Sequence, residues 1–403
     1  MSEQAGAASK IVVQKYGGSS VADVERLQRV ARRVVDTVES GYRVAVVISA
    51  MGKTTDQLLS LAKEVCANPP RREVDMLVTA GERIASSLLA MAIHELGHEA
   101  VSFTGSQCGI ITSHRHNNAR ILEVRPYRVQ DELDAGRIVI IAGYQGVSYK
   151  REVTTLGRGG TDTTAVAMAA ALGAEYCEIC SDVDGVYTAD PRVVGEPRHL
   201  EAVSYDEMQE LALHGAKVLN AQAVEFARRH RILIVARATS GSDKATRIAS
   251  PADTEGAGAV GVTATRGLWR FRGKGGAEQL AALSRILEES QTAPLFTRLE
   301  GAQPMVVVDI TNCHHVEVLE QRICEAGELE ITRDLATASV VGLGVGDDPA
   351  HLKTLFAAAE DASAEVLGVD SAPLRLTVLT RPERLDELQR ALHARFVEAQ
   401  RQS

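Results

Sequence analysis

Short apolar runs recur along the first 240 residues, and each leads through a polar or glycine-bearing turn into a stretch of helical spacing. Ile11–Gln14 runs into Lys15-Tyr16-Gly17-Gly18, with Val21–Glu39 helical behind Ser19-Ser20 as capping candidates. Arg43–Ser49 runs into the polar turn Ala50–Asp56, followed by a helix over Leu58–Cys66. Asn68-Pro69-Pro70 breaks the chain before a long helix over Glu73–Glu95. Val101–Phe103, Arg137–Gly143, Tyr176–Ser181 and Ile232–Arg237 read as further strands. Thr161–Leu172, Met208–Leu213 and Lys217–Arg229 read as helices. Strands this continuously apolar are buried on both faces. The alternation therefore predicts an α/β fold with a mostly parallel sheet between helix layers. Ligands bind at the carboxyl ends of such strands, where the glycine-bearing turns fall.

The rhythm changes after residue 240. Thr239–Gly258 is rich in Ser, Asp, Gly and Ala. The pattern predicts a tail at 1–9, a first domain at 10–240, a linker at 241–258 and a second region at 259–403. In the last region strands are expected at Val260–Thr265, Leu268–Arg272, Met305–Ile310, Ala338–Val345, Ala364–Val369 and Leu374–Leu379. Helices are expected at Ala277–Glu289, Val316–Ala326, Pro349–Glu360 and Arg384–Phe396. That is a duplicated α+β module, two βαββαβ units in succession of roughly 70 residues each.

Composition excludes some partners. A net charge of −9 argues against nucleic acid, whose phosphates attract basic surfaces. No uninterrupted apolar stretch reaches membrane-spanning length, and Met1–Lys10 carries no signal-like apolar run. Cys66, Cys108, Cys177, Cys180, Cys313 and Cys324 are scattered, which points to a reducing, cytoplasmic setting.

Four segments carry candidate chemistry. In Lys15-Tyr16-Gly17-Gly18-Ser19-Ser20 a lysine closes a strand, and two glycines let backbone amides approach phosphate at a helix start. The same residues would also make a plain turn with a surface lysine. Ser49-Ala50-Met51-Gly52-Lys53-Thr54-Thr55-Asp56 resembles a P-loop at Gly52-Lys53-Thr54, but Val47 stands where that motif needs glycine. Its hydroxyls remain suited to a small polar substrate. Thr155-Leu156-Gly157-Arg158-Gly159-Gly160-Thr161-Asp162 is the strongest signal. Arg158 can fork onto a carboxylate, Gly159 and Gly160 permit close approach, and Asp162 lies in the first turn of an Ala-rich helix. In Ser181-Asp182-Val183-Asp184-Gly185-Val186-Tyr187-Thr188-Ala189-Asp190-Pro191-Arg192, Tyr187 could lie against a purine and Arg192 could meet phosphate. A hairpin around Asp184-Gly185 is equally compatible.

Three motifs point elsewhere only on paper. His94-Glu95-Leu96-Gly97-His98 matches a zinc-protease pattern, but Gly97 should stop the helix that would align both histidines. Cys177-Glu178-Ile179-Cys180 lies inside a strand, where buried thiols are expected. Gly256-Ala257-Gly258-Ala259-Val260-Gly261 precedes a strand, the wrong context for dinucleotide binding.

Taken together, the strings KYGGSS, SAMGKTTD, TAGER, FTGSQ, TTLGRGGTDTTA and SDVDGVYTADPR resemble the aspartate kinase branch of the amino-acid kinase family, over about residues 10–240. The whole looks most like the bacterial lysine-and-threonine-regulated type. Residues 259–403 are loosely similar to its paired ACT regulatory domains, best over Gly344–Phe396. The resemblance implies ATP, Mg²⁺ held mainly by the nucleotide phosphates, and L-aspartate as ligands. It implies that Lys15, Gly17 and Gly18 meet the ATP phosphates, and that Ser181, Asp182, Tyr187 and Arg192 surround the nucleotide. Ser49, Thr55, Glu82 and Arg158, with Gly159, Gly160 and Thr161, would bind aspartate. Glu82 would take its ammonium and Arg158 its α-carboxylate. Lys15, Asp162 and Lys217 would be catalytic, with Asp162 the organiser of the cations. Thr161 stands where the family usually has serine, and the hydroxyl survives.

The reaction implied is transfer of a phosphoryl group to the aspartate side chain, giving 4-phospho-L-aspartate for lysine, threonine and methionine synthesis. The rival readings are an amino-acid kinase acting on acetylglutamate or glutamate, and a non-catalytic amino-acid sensor. The resemblance further implies a homo-oligomer, at least a dimer, joined through the C-terminal modules. Lysine and threonine are the implied effectors. The first module's Gly273-Lys274-Gly275-Gly276 lacks the family's Asp and Pro and reads as a floppy loop. In the second, Asp347-Asp348 would repel an effector carboxylate. Inhibition is therefore expected to be weak or absent.

Overall fold

A computed structural model describes residues 9–157, 159–250, 258–311, 313 and 316–399. It divides into two units. The first holds the described residues up to Val186, His199–Ala212 and those from Lys217 to 250; the second holds Tyr187–Arg198, Leu213–Ala216 and those from Gly258 onward.

Along the first part of the chain run β1 (Ile11–Tyr16), α1 (Val24–Glu39), β2 (Arg43–Ile48), α2 (Thr54–Val65), α3 (Arg71–Val78), α4 (Ala80–Glu95) and β3 (Ala100–Phe103). Then come β4 (Ile110–Thr112), β5 (Ile121–Val124), α5 (Tyr127–Asp134), β6 (Ile138–Ala142), β7 (Gln145–Ser148), β8 (Val153–Thr155), α6 (Gly160–Leu172) and β9 (Tyr176–Ser181). They are followed by β10 (Val186–Tyr187), β11 (His199–Leu200), β12 (Ala202–Ser204), α7 (Tyr205–Leu213), α8 (Ala221–His230), β13 (Ile234–Ala238) and β14 (Ala245–Ala249).

The main sheet is eight-stranded, in the order β12-β14-β13-β9-β1-β2-β6-β3. From β13 to β3 every pair is parallel, and β14 joins β13 antiparallel. This is the expected α/β architecture. The helices form for local reasons. Asp23 caps α1 by accepting from the Arg26 amide at 2.8 Å, and Leu27, Val30, Ala31, Val34 and Val35 turn one face onto the sheet. In α6, alanines and Met168 are buried nearly all round, because that helix packs against both β1 and α8. A small sheet, β5-β4-β7-β8, stands apart from the main one.

Two expectations need correcting. The Glu73–Glu95 helix is two helices that join at Thr79. Arg71–Glu95 is apolar and long enough to span a bilayer by composition, yet α4 buries Ala85, Leu89 and Ile93 in the core with α1 and the sheet. The stretch read as a linker is also partly structural. Ala245–Ala249 forms β14, paired with β13 and β12, while 251–257 lie outside the described residues.

In the second unit β15 (Gly258–Gly273), α9 (Gly276–Ser290), β16 (Pro294–Glu300), β17 (Gln303–Asp309), α10 (Val316–Glu325) and β18 (Leu329–Leu343) are followed by α11 (Pro349–Asp361), β19 (Gly368–Ala372), β20 (Arg375–Thr380) and α12 (Leu385–His393). They make one antiparallel sheet, β16-β17-β15-β18-β20-β19. The two modules are not arranged in succession. Strands β15 and β18 pair along their whole length, with register shifts near Thr265–Arg270. Their Leu268–Gly273 and Leu329–Leu335 halves close the first module around Phe271, Leu283 and Val306. The Gly258–Thr265 and Ala336–Leu343 halves serve the second, around Val262, Val340 and Leu388. The second module thus takes its last strand from upstream of the first.

Candidate functional site

Lys15, Ser49, Glu82, Thr161 and Asp162 gather where β1 and β2 end and α6 begins. Lys15 is the penultimate residue of β1, and Asp162 lies in the first turn of α6. Their Nζ and Oδ1 atoms are 2.7 Å apart, each side chain about 12% exposed. The lysine is therefore aimed by a partner and still partly exposed. Gly17 follows the end of β1, and a Cβ there would lie 3.3 Å from Lys15 Nζ. A Cβ on Gly18 would be 2.8 Å from the carbonyl oxygen of Ala50. The glycine pair thus lets the β1 turn close onto the β2 turn, where the Gly52 amide donates to the Gly18 carbonyl at 3.0 Å.

The β2 turn carries the hydroxyl side of the site. Ser49 Oγ donates to Thr161 Oγ1 at 3.0 Å, tying the end of β2 to the start of α6. Thr55 is half-buried in the first turn of α2. Glu82 enters from the first turn of α4 and is almost fully buried. Its Oε1 accepts from the Ala50 amide at 3.3 Å. Its Oε2 is buried with no hydrogen-bond partner among the described residues. Burial pushes this carboxyl up to about 7 from its usual 4.5, against smaller lowering by its own and the Ala50 amide. A buried carboxylate with one oxygen unmatched suits a cationic ligand group. Gly81 is required beside it, since a Cβ would lie 2.7 Å from that of Ala50.

Gly159 and Gly160 open α6. Gly159 has φ +73°, and a Cβ there would stand 2.1 Å from Asn220 Nδ2. Asn220 caps α8 by accepting from the Gln222 and Ala223 amides. Lys217 is exposed in the turn just before it. Ser181 ends β9, where its Oγ meets the Val183 amide, and Asp182 beyond it is exposed. Arg158 lies outside the described residues. Tyr187 and Arg192 fall in the second unit. There Arg192 forks onto Asp190, with Nε to Oδ1 at 3.0 Å and Nη2 to Oδ2 at 2.6 Å.

Sequence reasoning missed the residues after β6. Gly143 is needed because a Cβ would lie 2.6 Å from Thr161 Cγ2, and Tyr144 sits at φ +67° with its amide donating to Thr164 Oγ1 at 3.2 Å. Gly143-Tyr144-Gln145-Gly146 at the end of a fully buried strand was the available signal. The other motifs resolve as local structure. Helix α4 ends at Glu95, Gly97 takes φ +86°, and His94 bonds the Ala100 carbonyl at 2.9 Å. Cys177 and Cys180 are fully buried in β9, and burial raises both thiols.

This arrangement provides a cation, bare backbone amides and a helix N-terminus at the carboxyl ends of parallel strands. Residues 10–236 match the amino acid kinase family.

The chain belongs to that family.

Within it the chain is similar along nearly its whole length to aspartokinases. It is 44% identical to the aspartokinase of Mycolicibacterium smegmatis, with 96% of each chain covered. It is 39% identical to that of Thermus thermophilus, covering 96% of this chain and 98% of that one. Its fold follows that of Escherichia coli aspartokinase III in complex with aspartate and ADP, with a TM-score of 0.84 at 22% identity over 96% of this chain and 99% of the other. Among family members, then, the chain aligns with proteins that carry the C-terminal half as well as the kinase part.

Proposed function

We propose that this chain is an aspartate kinase that uses Mg-ATP to phosphorylate the side-chain carboxylate of L-aspartate. The observation that carries the reading is two opposite features on the adjoining β1 and β2 turns: the partnered, partly exposed Lys15, and the buried Glu82 bonded to the Ala50 amide with one oxygen unmatched. A cation suits an incoming polyphosphate, and an unmatched carboxylate suits an α-ammonium group. Near-full-length similarity to aspartokinases supports the same reading.

The nucleophile, a carboxylate, is already ionised at neutral pH, so no general base is required. The barrier lies in bringing one anion onto a polyanion. Lys15, oriented by Asp162, offsets charge on the transferring group, with Lys217 as a second cation. Gly17 and Gly18 present backbone amides to the phosphates. Glu82 holds the substrate ammonium, Arg158 its α-carboxylate, and Ser49, Thr55 and Thr161 line the acceptor side. Ser181 and Asp182 are assigned to the nucleotide. The phosphoryl group moves from the terminal phosphate to the acceptor oxygen, leaving ADP and 4-phospho-L-aspartate. Among the described residues no three acidic, histidine or cysteine side chains converge to hold a metal, and Asp162 is committed to Lys15. The family resemblance implies a magnesium ion carried by the phosphates, which when bound would neutralise part of their charge.

Regulation by lysine and threonine is proposed to be weak, with the second unit, read as a pair of ACT-like modules, serving mainly to join copies of the chain. An assay of ADP release tests the activity. Turnover with aspartate, and none with glutamate or acetylglutamate, is the expected result; preference for either of the others would replace the substrate assignment.

A further inference from the structure

We propose that Asp75 is a positioning residue for the substrate loop Gly157–Gly160, acting through Thr155 and through the turn that carries His116 and Asn117; the proposal rests on the aspartate-binding role given above to Arg158.

Asp75 lies on α3 and is completely buried, an unusual place for a carboxylate, and its charged partner, when protonated, is His116. Its two oxygens collect donors from two separate segments. Thr155 Oγ1 donates to Oδ1 at 2.6 Å. His116 Nδ1 meets Oδ2 at 2.6 Å, and the Asn117 amide reaches Oδ1 and Oδ2 at 3.1 and 3.3 Å. Burial raises the carboxyl and these bonds lower it, so the donors answer the cost of placing it there.

Both segments bear on the glycine loop. Thr155 is the last residue of β8, two positions before Gly157. Its carbonyl accepts from the Ala119 amide at 2.8 Å, so the strand end is held through main chain and side chain at once. Asn117 adopts φ +67°, a conformation a non-glycine residue keeps only when its surroundings fix it. That conformation brings the Asn117 carbonyl and Asn118 Oδ1 against Gly157, within 3.3 and 3.1 Å of where a Cβ would stand. Gly157 in turn has φ +76° and accepts from the Gly160 amide at 3.0 Å. One buried carboxylate therefore fixes the strand that enters the loop and the turn that flanks it. The bonds of Asp75, Thr155, His116 and Asn117 given above involve neither Lys15 nor Asp162, so the loss should fall on the acceptor substrate.

The test compares Thr155→Val, which keeps the shape and removes the hydroxyl, with Thr155→Ser, which keeps the hydroxyl, and adds Asp75→Asn and Asp75→Ala. Two measurements are made on the full chain: KM for aspartate and for ATP, and the rate of tryptic cleavage after Arg158, followed by mass spectrometry. Thr155→Val and Asp75→Ala should raise the aspartate KM about tenfold, with ATP KM and kcat changing less than about threefold. Cleavage after Arg158 should accelerate by a similar factor while other sites keep their rates. Thr155→Ser should behave as the parent chain, and Asp75→Asn should fall between. Unchanged cleavage in Thr155→Val, or ATP KM rising in step with aspartate KM, overturns the proposal. Should the parent chain fail to turn over aspartate, the proposed activity falls, and the cleavage rates still decide whether Asp75 holds the loop. If Asp75→Ala does not fold, the Val and Ser pair at 155 decides it alone.

Discussion

Glu82 and Lys15 show how much one side chain can decide. Because burial pushes the Glu82 carboxyl up to about 7, the folded chain holds this proton more tightly than the unfolded one between pH 4.5 and 7. Stability contributed at this position is therefore lost as pH rises through that window. Glu82→Gln removes the charge, so its melting temperature should gain on the parent at pH 8 and match it near pH 4, while aspartate binding weakens sharply. Calorimetry at the two pH values checks the first part and titration with aspartate the second. Replacing Lys15 by Ala should leave far-UV circular dichroism unchanged and lower turnover by about 10²–10³, the usual effect of deleting one positioned charge. Arg158→Lys should raise the aspartate KM and spare that of ATP, since lysine cannot fork onto a carboxylate. Lys15 and Asp162 could be picked out from sequence because each sits in a glycine-bearing string at a predictable strand or helix end, whereas Glu82, expected mid-helix, came only through the family resemblance. Asp75 could not. Its partners lie 41 and 80 positions away, and nothing local distinguishes it from a solvent-facing helical acid.

At the scale of single elements, the same contrast separates what periodicity reveals from what it hides. Strands β1, β2, β6 and β9 and helices α1 and α6 were legible because burial on both faces or one face writes a clear pattern. The break at Thr79 was hidden, since both α3 and α4 are helical and apolar. Strand β14 was hidden behind a linker-like composition, and β16 is largely exposed, so neither shows an apolar run. The loop Gly273–Gly276 was read as floppy from its glycines, and the structure corrects that. Gln279, itself buried, accepts from the Gly275 amide at 2.9 Å and donates to the Glu328 carbonyl at 3.1 Å, while the Gly276 amide meets the Ala302 carbonyl. An amide already answered by a neighbouring side chain is a poorer anchor for an incoming carboxylate. Half-inhibition by lysine and threonine, singly or together, is accordingly expected above millimolar concentration in the ADP-release assay, and inhibition well below it would show a working effector site. Gln279→Ala should speed hydrogen exchange at Gly275 without altering exchange in β17.

Across the whole molecule, the second unit is expected to make the chain at least a dimer at micromolar concentration, and light scattering that returns the 43.2 kDa monomer would refute it. The shared ribbon of β15 and β18 has a further consequence, one of timing. Ala259 pairs with Gly342, about 80 residues later in synthesis, and Gly273 with Leu329. As the chain leaves the ribosome, the early half of β15 has no partner until the first module and the far half of β18 have both been made. Chains that stall or are cut between those points carry an apolar edge open to any other strand. Selection against such fragments would act on the rate at which this stretch is translated.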